Sequence, residues 1–240
     1  MTDILLRSEV AEGVLLLTMN RPDARNAISL ELAEELSAAL AEFKADSKWR
    51  AGVLTGAPPA FCAGLDLKSF SAPDAPRHKV TELITALPLL GKPLIAAVGG
   101  AAMTGGLELV LSCDFAIAGP QARFADTHAR IGALSGSGMG SLLPRIVGAR
   151  WARQMMLTCA PIGAETALRI GLVNELVEQE QLVPRGVELA TMMAAHDPKL
   201  VALAKGVIDQ GFRTTLEEAG EIERRTLAER KASGGMEWKK

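Results

Sequence analysis

The strongest constraint on the fold is an alternation that runs through roughly the first half of this 240-residue chain. Apolar runs the length of single strands alternate with stretches of helical periodicity. Val14–Met19, Ala51–Thr55, Leu94–Val98 and Asp114–Ala118 are predicted strands. Leu94-Ile95-Ala96-Ala97-Val98 is apolar at every position, as in a parallel-sheet strand covered on both faces. Between the first two strands, Leu32, Ala33, Leu36, Leu40 and Phe43 recur at three- and four-residue steps and predict one apolar helical stripe. Ser29 stands where its hydroxyl can accept from an otherwise unpaired N–H of the first turn. A second helix is predicted over Asp74–Leu90, bounded by Pro88 and Pro93.

From Gly136 onward helices dominate: Gly138–Val147, Trp151–Thr158, Ala164–Ile170, Glu178–Ala195 and Pro198–Gln210, interrupted by one predicted strand, Leu172–Val177. Leu216–Ala232 is helical but strongly charged, with Glu221 and Arg225 at a favourable four-residue spacing. The final SGGMEWKK is expected to fray. The pattern predicts an α/β core followed by a helical C-terminal third.

Composition removes several function classes. There are six phenylalanines, three tryptophans and no tyrosine, and the net charge is −2, which argues against a nucleic-acid binder built on stacking rings and a basic face. The same charge gives no global attraction to membranes, so an anionic ligand needs local help. Three widely spaced cysteines (Cys62, Cys113, Cys159), with no C-x-x-C or H-E-x-x-H, disfavour a disulfide scaffold and a structural zinc site. No basic segment followed by a long apolar stretch opens the chain, and a cytoplasmic location is the expectation.

Two glycine-containing turns each follow a strand-like run: Ala60–Leu67, with Ala63-Gly64-Leu65-Asp66, and Gly99–Leu109, with Gly105-Gly106-Leu107-Glu108. Small residues at such turns leave backbone N–H groups accessible, and a helix N-terminus adds a positive dipole end. Two converging turns would make an oxyanion hole for a carbonyl that becomes an enolate. Tight loops that need glycine only for backbone freedom read the same way, and the residues alone leave both open. Glu108 is the odd residue in an apolar run: either a first-turn glutamate facing the dipole, or a general base on the same helical face as Gly105, three residues on. His128, beside Asp126, is either a solvated side chain or a proton-transfer group. Gly136-Ser137-Gly138-Met139-Gly140 lacks a leading strand, and Met156 stands where a dinucleotide site needs an acid. No G-x-S-x-G elbow is present.

Taken in order, these segments resemble the crotonase family, the enoyl-CoA hydratase/isomerase superfamily. The likeness includes Val14–Pro22, Arg25-Asn26-Ala27, Phe61–Leu67, Lys92–Val98, Gly105–Leu109, Cys113-Asp114, Pro161-Ile162 and Gly171-Leu172-Val173. The resemblance implies a spiral of ββα units over residues 1–195 and a helical trimerisation region over 196–240. It implies an acyl-CoA thioester ligand and an oxyanion hole at the Ala63 and Gly105 N–H groups. It implies substrate contacts along Ala24, Arg25, Ala27, Gly64, Leu65, Asp66, Leu67 and Lys68, with Arg21, Arg25 and Lys68 near the CoA phosphates. Glu108 matches the first of two glutamates used by hydratases; His128 occupies the second position, and Ser135 stands where a proline is usual. The implied reaction is addition of water to the 2,3-double bond of a 2-enoyl-CoA. A non-catalytic acyl-CoA binding protein, or another crotonase reaction such as isomerisation, is the alternative. No cofactor beyond the CoA of the substrate, no metal, and no nucleic-acid or membrane partner are implied, and the expected assembly is a homotrimer or a dimer of trimers.

Overall fold

The computed structural model describes residues 3–72 and 74–234, so most of the terminal SGGMEWKK lies outside the described residues. The chain forms two compact units, Met1–Ala195 and His196–Lys240.

In the first unit, β1 (Leu5–Ala11) pairs antiparallel with β2 (Val14–Met19), and α1 (Leu30–Ala45) follows. Ser29 caps α1 as expected, its Oγ accepting from Leu32 N–H at 3.2 Å. Three strand pairs then repeat one path: β3 (Ala51–Gly56) and β4 (Ala60–Cys62) before α2 (His78–Ala86); β5 (Leu94–Val98) and β6 (Ala101–Met103) before α3 (Gly105–Ser112); β7 (Phe115–Ala118) and β8 (Arg123–Ala125) before α4 (Met139–Thr158). The first strand of each pair joins one sheet and the second strand joins another. With β9 (Ile162–Gly163), α5 (Ala164–Arg169), β10 (Glu175–Leu176) and α6 (Leu182–Ala194), this gives a six-stranded sheet ordered β1-β2-β3-β5-β7-β10 and a four-stranded sheet ordered β4-β6-β8-β9. Within them, β2-β3-β5-β7-β10 and β4-β6-β8 run parallel. This is the ββα spiral.

Side-chain alternation explains why the central strands are apolar throughout. Val53, Ile95, Ala97 and Ile117 pack on one side with Leu182, Ala190 and Ala194 of α6. Their neighbours Leu54, Ala96, Val98, Ala116 and Ala118 face the main core, with Leu36 and Phe43 of α1 and Leu107 and Leu109 of α3.

Several boundaries differ from the sequence reading. The helix over Asp74–Leu90 is shorter: α2 begins at His78, and Pro88, which has no N–H to donate, sits in a 3₁₀ turn over Leu87–Leu89. The two helices expected over Gly138–Thr158 form α4, broken at Gly148, whose φ of 78° and ψ of 150° are not helical. Of the strand expected at Leu172–Val177 only β10 forms, because the Leu172 and Val173 N–H groups turn back onto the Ala167 carbonyl. In the second unit, α7 (Pro198–Gly211) is capped by Asp197, and α8 (Leu216–Ala232) starts with a Thr215–Glu218 capping box. Among the described residues no helix is long and apolar enough to cross a membrane.

Candidate active site

The site begins with two backbone segments laid side by side. Ile28 N–H donates to the Gly64 carbonyl at 2.8 Å, and Asp66 N–H to the Ile28 carbonyl at 3.0 Å, which makes a one-residue parallel bridge between Ile28 and Leu65. Asn26 anchors the first segment. It is fully buried, accepts from Arg21 N–H at 2.9 Å, and donates to the carbonyls of Ala57 and Ala60 at 2.8 and 2.7 Å. This brings Ala24, Arg25 and Ala27 alongside Leu65, Asp66, Leu67 and Lys68, residues the sequence reading grouped as one substrate-binding set.

The second turn closes on the first. Gly64 has φ of +94°, and a Cβ there would stand 2.9 Å from the Met103 carbonyl and 3.4 Å from the Gly105 nitrogen. Glycine at position 64 is therefore required by its dihedral angle and by the approach of Gly105. A Cβ at Gly105 would lie 3.7 Å from the Leu65 nitrogen, so the two N–H groups border the same small space.

The donor pair differs from the expectation. Ala63 N–H is spent on the Arg25 carbonyl at 3.0 Å and has nothing left for a ligand. Leu65 N–H is the available one: in the bridge with Ile28 the bonds run through the Gly64 carbonyl and the Asp66 N–H, leaving Leu65 N–H without a hydrogen-bond partner among the described residues. Gly105 is the first residue of α3, so its N–H has no acceptor within the helix. The backbone N–H groups left without an acceptor between the two turns are thus those of Leu65 and Gly105, with Ala63 one of the supports that hold the loop.

One further expectation changes. Arg21 donates to the Ala27 carbonyl and to Asp66 Oδ2, the latter at 2.9 Å, so it is not free for a phosphate. Asp66 is engaged on both oxygens, since Oδ1 accepts from Lys68 N–H at 3.2 Å and Ser69 N–H at 3.4 Å. Burial works to raise the Asp66 carboxyl, but Arg21 and these amides outweigh it and hold it below the usual carboxylate value. Arg25 and Lys68 remain exposed, with no ion pair among the described residues.

Glu108 stands three residues beyond Gly105 on α3 and is 4% exposed. Burial raises its pKa; a hydrogen bond from Ser135 Oγ to Oε1 and the His128 charge oppose the shift without cancelling it. Ser135 Oγ also accepts from the N–H groups of Ser137 and Met139, each at 3.3 Å. With both acceptor positions filled, its own hydrogen points to Glu108. Oε1 is therefore a fixed acceptor.

His128 faces this carboxylate from the loop after β8. Its Nδ1 lies 2.6 Å from Asp126 Oδ1, and the same oxygen accepts from His128 N–H at 3.1 Å. Asp126 is 2% exposed. The Asp126 hydrogen bond raises the His128 pKa above its usual value; burial pulls the other way, and the charges of Asp126 and Glu108 add to the rise. Because Asp126 takes the Nδ1 hydrogen, Nε2 is the nitrogen available for proton exchange. Asp126 and His128 stand two residues apart, whereas the Ser135–Glu108 link spans 27 residues and left no local signal in the sequence.

The Cys62 thiol, next to this site, is fully buried and pushed up to about 12 by desolvation, which excludes it as a nucleophile near neutrality. Among the described residues no group of three or more His, Cys, Asp or Glu side chains is placed to hold a metal ion.

A buried carboxylate, a carboxylate-held imidazole and two neighbouring backbone donors are thus brought together on a ββα spiral. Comparison with known proteins agrees. The family model "Enoyl-CoA hydratase/isomerase" matches residues 9–237, and the chain belongs to that family. The chain is 35% identical over 235 residues to the short-chain-enoyl-CoA hydratase of Clostridium acetobutylicum, spanning 95% of this chain and 89% of that protein. The solved structure of an enoyl-CoA hydratase from Bacillus anthracis superposes with a TM-score of 0.90 at 32% identity, covering 94% of this chain and 90% of that one. An enoyl-CoA hydratase structure from Mycobacterium tuberculosis H37Rv gives a TM-score of 0.80 at 41% identity, over 95% of this chain and all of that one.

Proposed function

We propose that the chain is an enoyl-CoA hydratase that adds water across the 2,3-double bond of a 2-enoyl-CoA. The observation that carries this is the convergence of the free Leu65 and Gly105 N–H groups beside buried Glu108. The thioester oxygen accepts from both N–H groups, so negative charge moving onto it during attack is met by fixed donors; one such donor is worth about 2.7–4 kcal/mol in the transition state. Ionised Glu108 takes a proton as the water oxygen bonds to C3. The electron pair of the double bond moves toward the thioester, forming the enolate, and His128 gives its Nε2 proton to C2. The proton on Glu108 then returns to His128, and both groups end as they began. Arg25 and Lys68 are the cations we assign to the CoA phosphates.

One observation favours a second reading, acyl-CoA binding without turnover. Burial raises the Glu108 pKa, and an imidazole stands where hydratases use a second glutamate, so the chain can retain the thioester cradle without a competent base. Incubation with a panel of enoyl-CoA thioesters, with product analysis and with Glu108→Gln in parallel, separates the two. Hydration that falls by about 10²–10⁴-fold in Glu108→Gln supports the hydratase; tight binding with unchanged thioester in both supports the binder.

The proposal extends to a homotrimer or a dimer of trimers in the cytoplasm. In the second unit, Leu203, Ile208, Phe212 and Leu216 are exposed, which suits helices buried between copies. Light scattering tests the assembly, and cell fractionation the location.

A further inference from the structure

Thr104, immediately before the Gly105 donor, has φ of 51° and ψ of −108°. These are near the values of the first central residue of a type II′ turn, a place taken by glycine because a Cβ there collides with the backbone. Thr104 is moreover β-branched and buried. A residue of this kind keeps such angles only where its surroundings impose them.

The surroundings are the residues that end β8. Thr104 N–H donates to the Ala125 carbonyl at 2.8 Å. The hydroxyls of Thr104 and Thr127 are 2.6 Å apart, and Thr127 N–H donates to Thr104 Oγ1 at 3.3 Å. On the far side, the Thr104 carbonyl accepts from Glu108 N–H at 2.9 Å. The Thr104–Gly105 peptide is a rigid plane, so the ψ of Thr104 sets where the Gly105 N–H points.

We propose that Thr104 and Thr127 are positioning residues: their hydroxyl pair clamps the Thr104–Gly105 peptide and so aims the Gly105 N–H at the substrate carbonyl. This rests on the oxyanion role given to Gly105 above. Neither threonine touches the reacting atoms. The clamp supplies by side chains a conformation that glycine would adopt unaided, and it ties the donor to the segment that carries Asp126 and His128.

The test compares wild type with Thr127→Val, Thr127→Ser and the double variant Thr104→Gly/Thr127→Val. The readouts are kcat and KM for crotonyl-CoA and the infrared carbonyl band of bound, isotopically labelled crotonyl-CoA. Thr127→Val should lower kcat on the order of tenfold or more with little change in KM, since a small misplacement of a donor has effects of that size. The carbonyl band should shift less on binding than in wild type. Thr127→Ser restores both readouts by keeping the hydroxyl. The double variant restores them in part, because glycine holds the angles without a clamp; a merely structural role for Thr127 gives no such rescue. Where Thr127→Val fails to fold, the double variant decides: folded and polarising, it supports the clamp; folded and not polarising, it overturns it. Equal band shifts and equal kcat in wild type and Thr127→Val overturn the clamp alone. A wild-type protein that binds crotonyl-CoA without moving the band overturns the oxyanion reading and the clamp with it.

Discussion

Replacing Gly105 with alanine separates the needs of the fold from those of the chemistry. Gly105 does not have positive φ, and a Cβ there meets Gly64 Cα and Ile28 Cδ1 at 3.6 Å and the Leu65 nitrogen at 3.7 Å, all ordinary contacts. The fold therefore accepts the methyl. Alanine in a helix is favoured over glycine by roughly 0.5–1 kcal/mol, so thermal stability should hold or rise slightly. The same methyl stands 3.7 Å from the Leu65 nitrogen, at the edge of the space proposed for the thioester oxygen. Losing one such donor costs about 10²–10³ in kcat, equivalent to about 2.7–4 kcal/mol. Thermal denaturation with steady-state hydration of crotonyl-CoA checks both halves. The reasoning is refuted if Gly105→Ala is stable and hydrates crotonyl-CoA within a few-fold of wild type, for the thioester oxygen then does not use this space.

Gly64→Ala should behave oppositely, because its φ of +94° and the Met103 carbonyl 2.9 Å from the new Cβ both resist a side chain; a loss of roughly 1–3 kcal/mol in denaturant unfolding is expected along with lost activity. Asn26→Ala removes the buried amide that donates to the Ala57 and Ala60 carbonyls, and the same unfolding assay should show a loss of about 1–3 kcal/mol. The pH–rate profile should be bell-shaped: Glu108 must be ionised to act as base, and its raised pKa moves the acidic limb up, while His128 must be protonated to act as acid, and its raised pKa moves the basic limb up. Asp126→Asn removes the main support of the imidazolium, so the basic limb should move to lower pH. The folded pKa of His128 lies above 6.5, so its contribution to stability is present below that pH and is lost as pH rises through the folded value. Unfolding across this window should show that slope in wild type and a weaker one in Asp126→Asn.

Legibility from sequence followed the range of each interaction. The four central strands of the main sheet, β2, β3, β5 and β7, and α1 were readable because local apolar runs and helical spacing set which faces are buried, as with Leu94–Val98 and the Leu32–Phe43 stripe. The strands β4, β6, β8 and β9 have only two or three residues each, too few for a pattern, and exist because the spiral stacks them. Glu108 stood out as a carboxylate in an apolar run, whereas His128 lay in a polar stretch and Gly105 in a glycine turn, and their roles came from the family resemblance. The other donor was not legible, because choosing between Ala63 and Leu65 depends on which N–H the neighbouring 25–28 segment consumes. That is fixed by the Arg25 carbonyl and the one-residue bridge at Ile28, pairings between residues tens of positions apart. Arg21 misled for the same reason: its charge is visible in sequence, its partner Asp66 is 45 residues away.

The central claim, that the Leu65 and Gly105 donors and Glu108 serve hydration, is tested most directly by incubating the protein with crotonyl-CoA in heavy-oxygen water and weighing the product. The expected product is 3-hydroxybutyryl-CoA carrying one labelled oxygen at C3, lost when Glu108 is changed to glutamine. Bound but unchanged crotonyl-CoA, or free CoA with the label in a carboxylate, would contradict it.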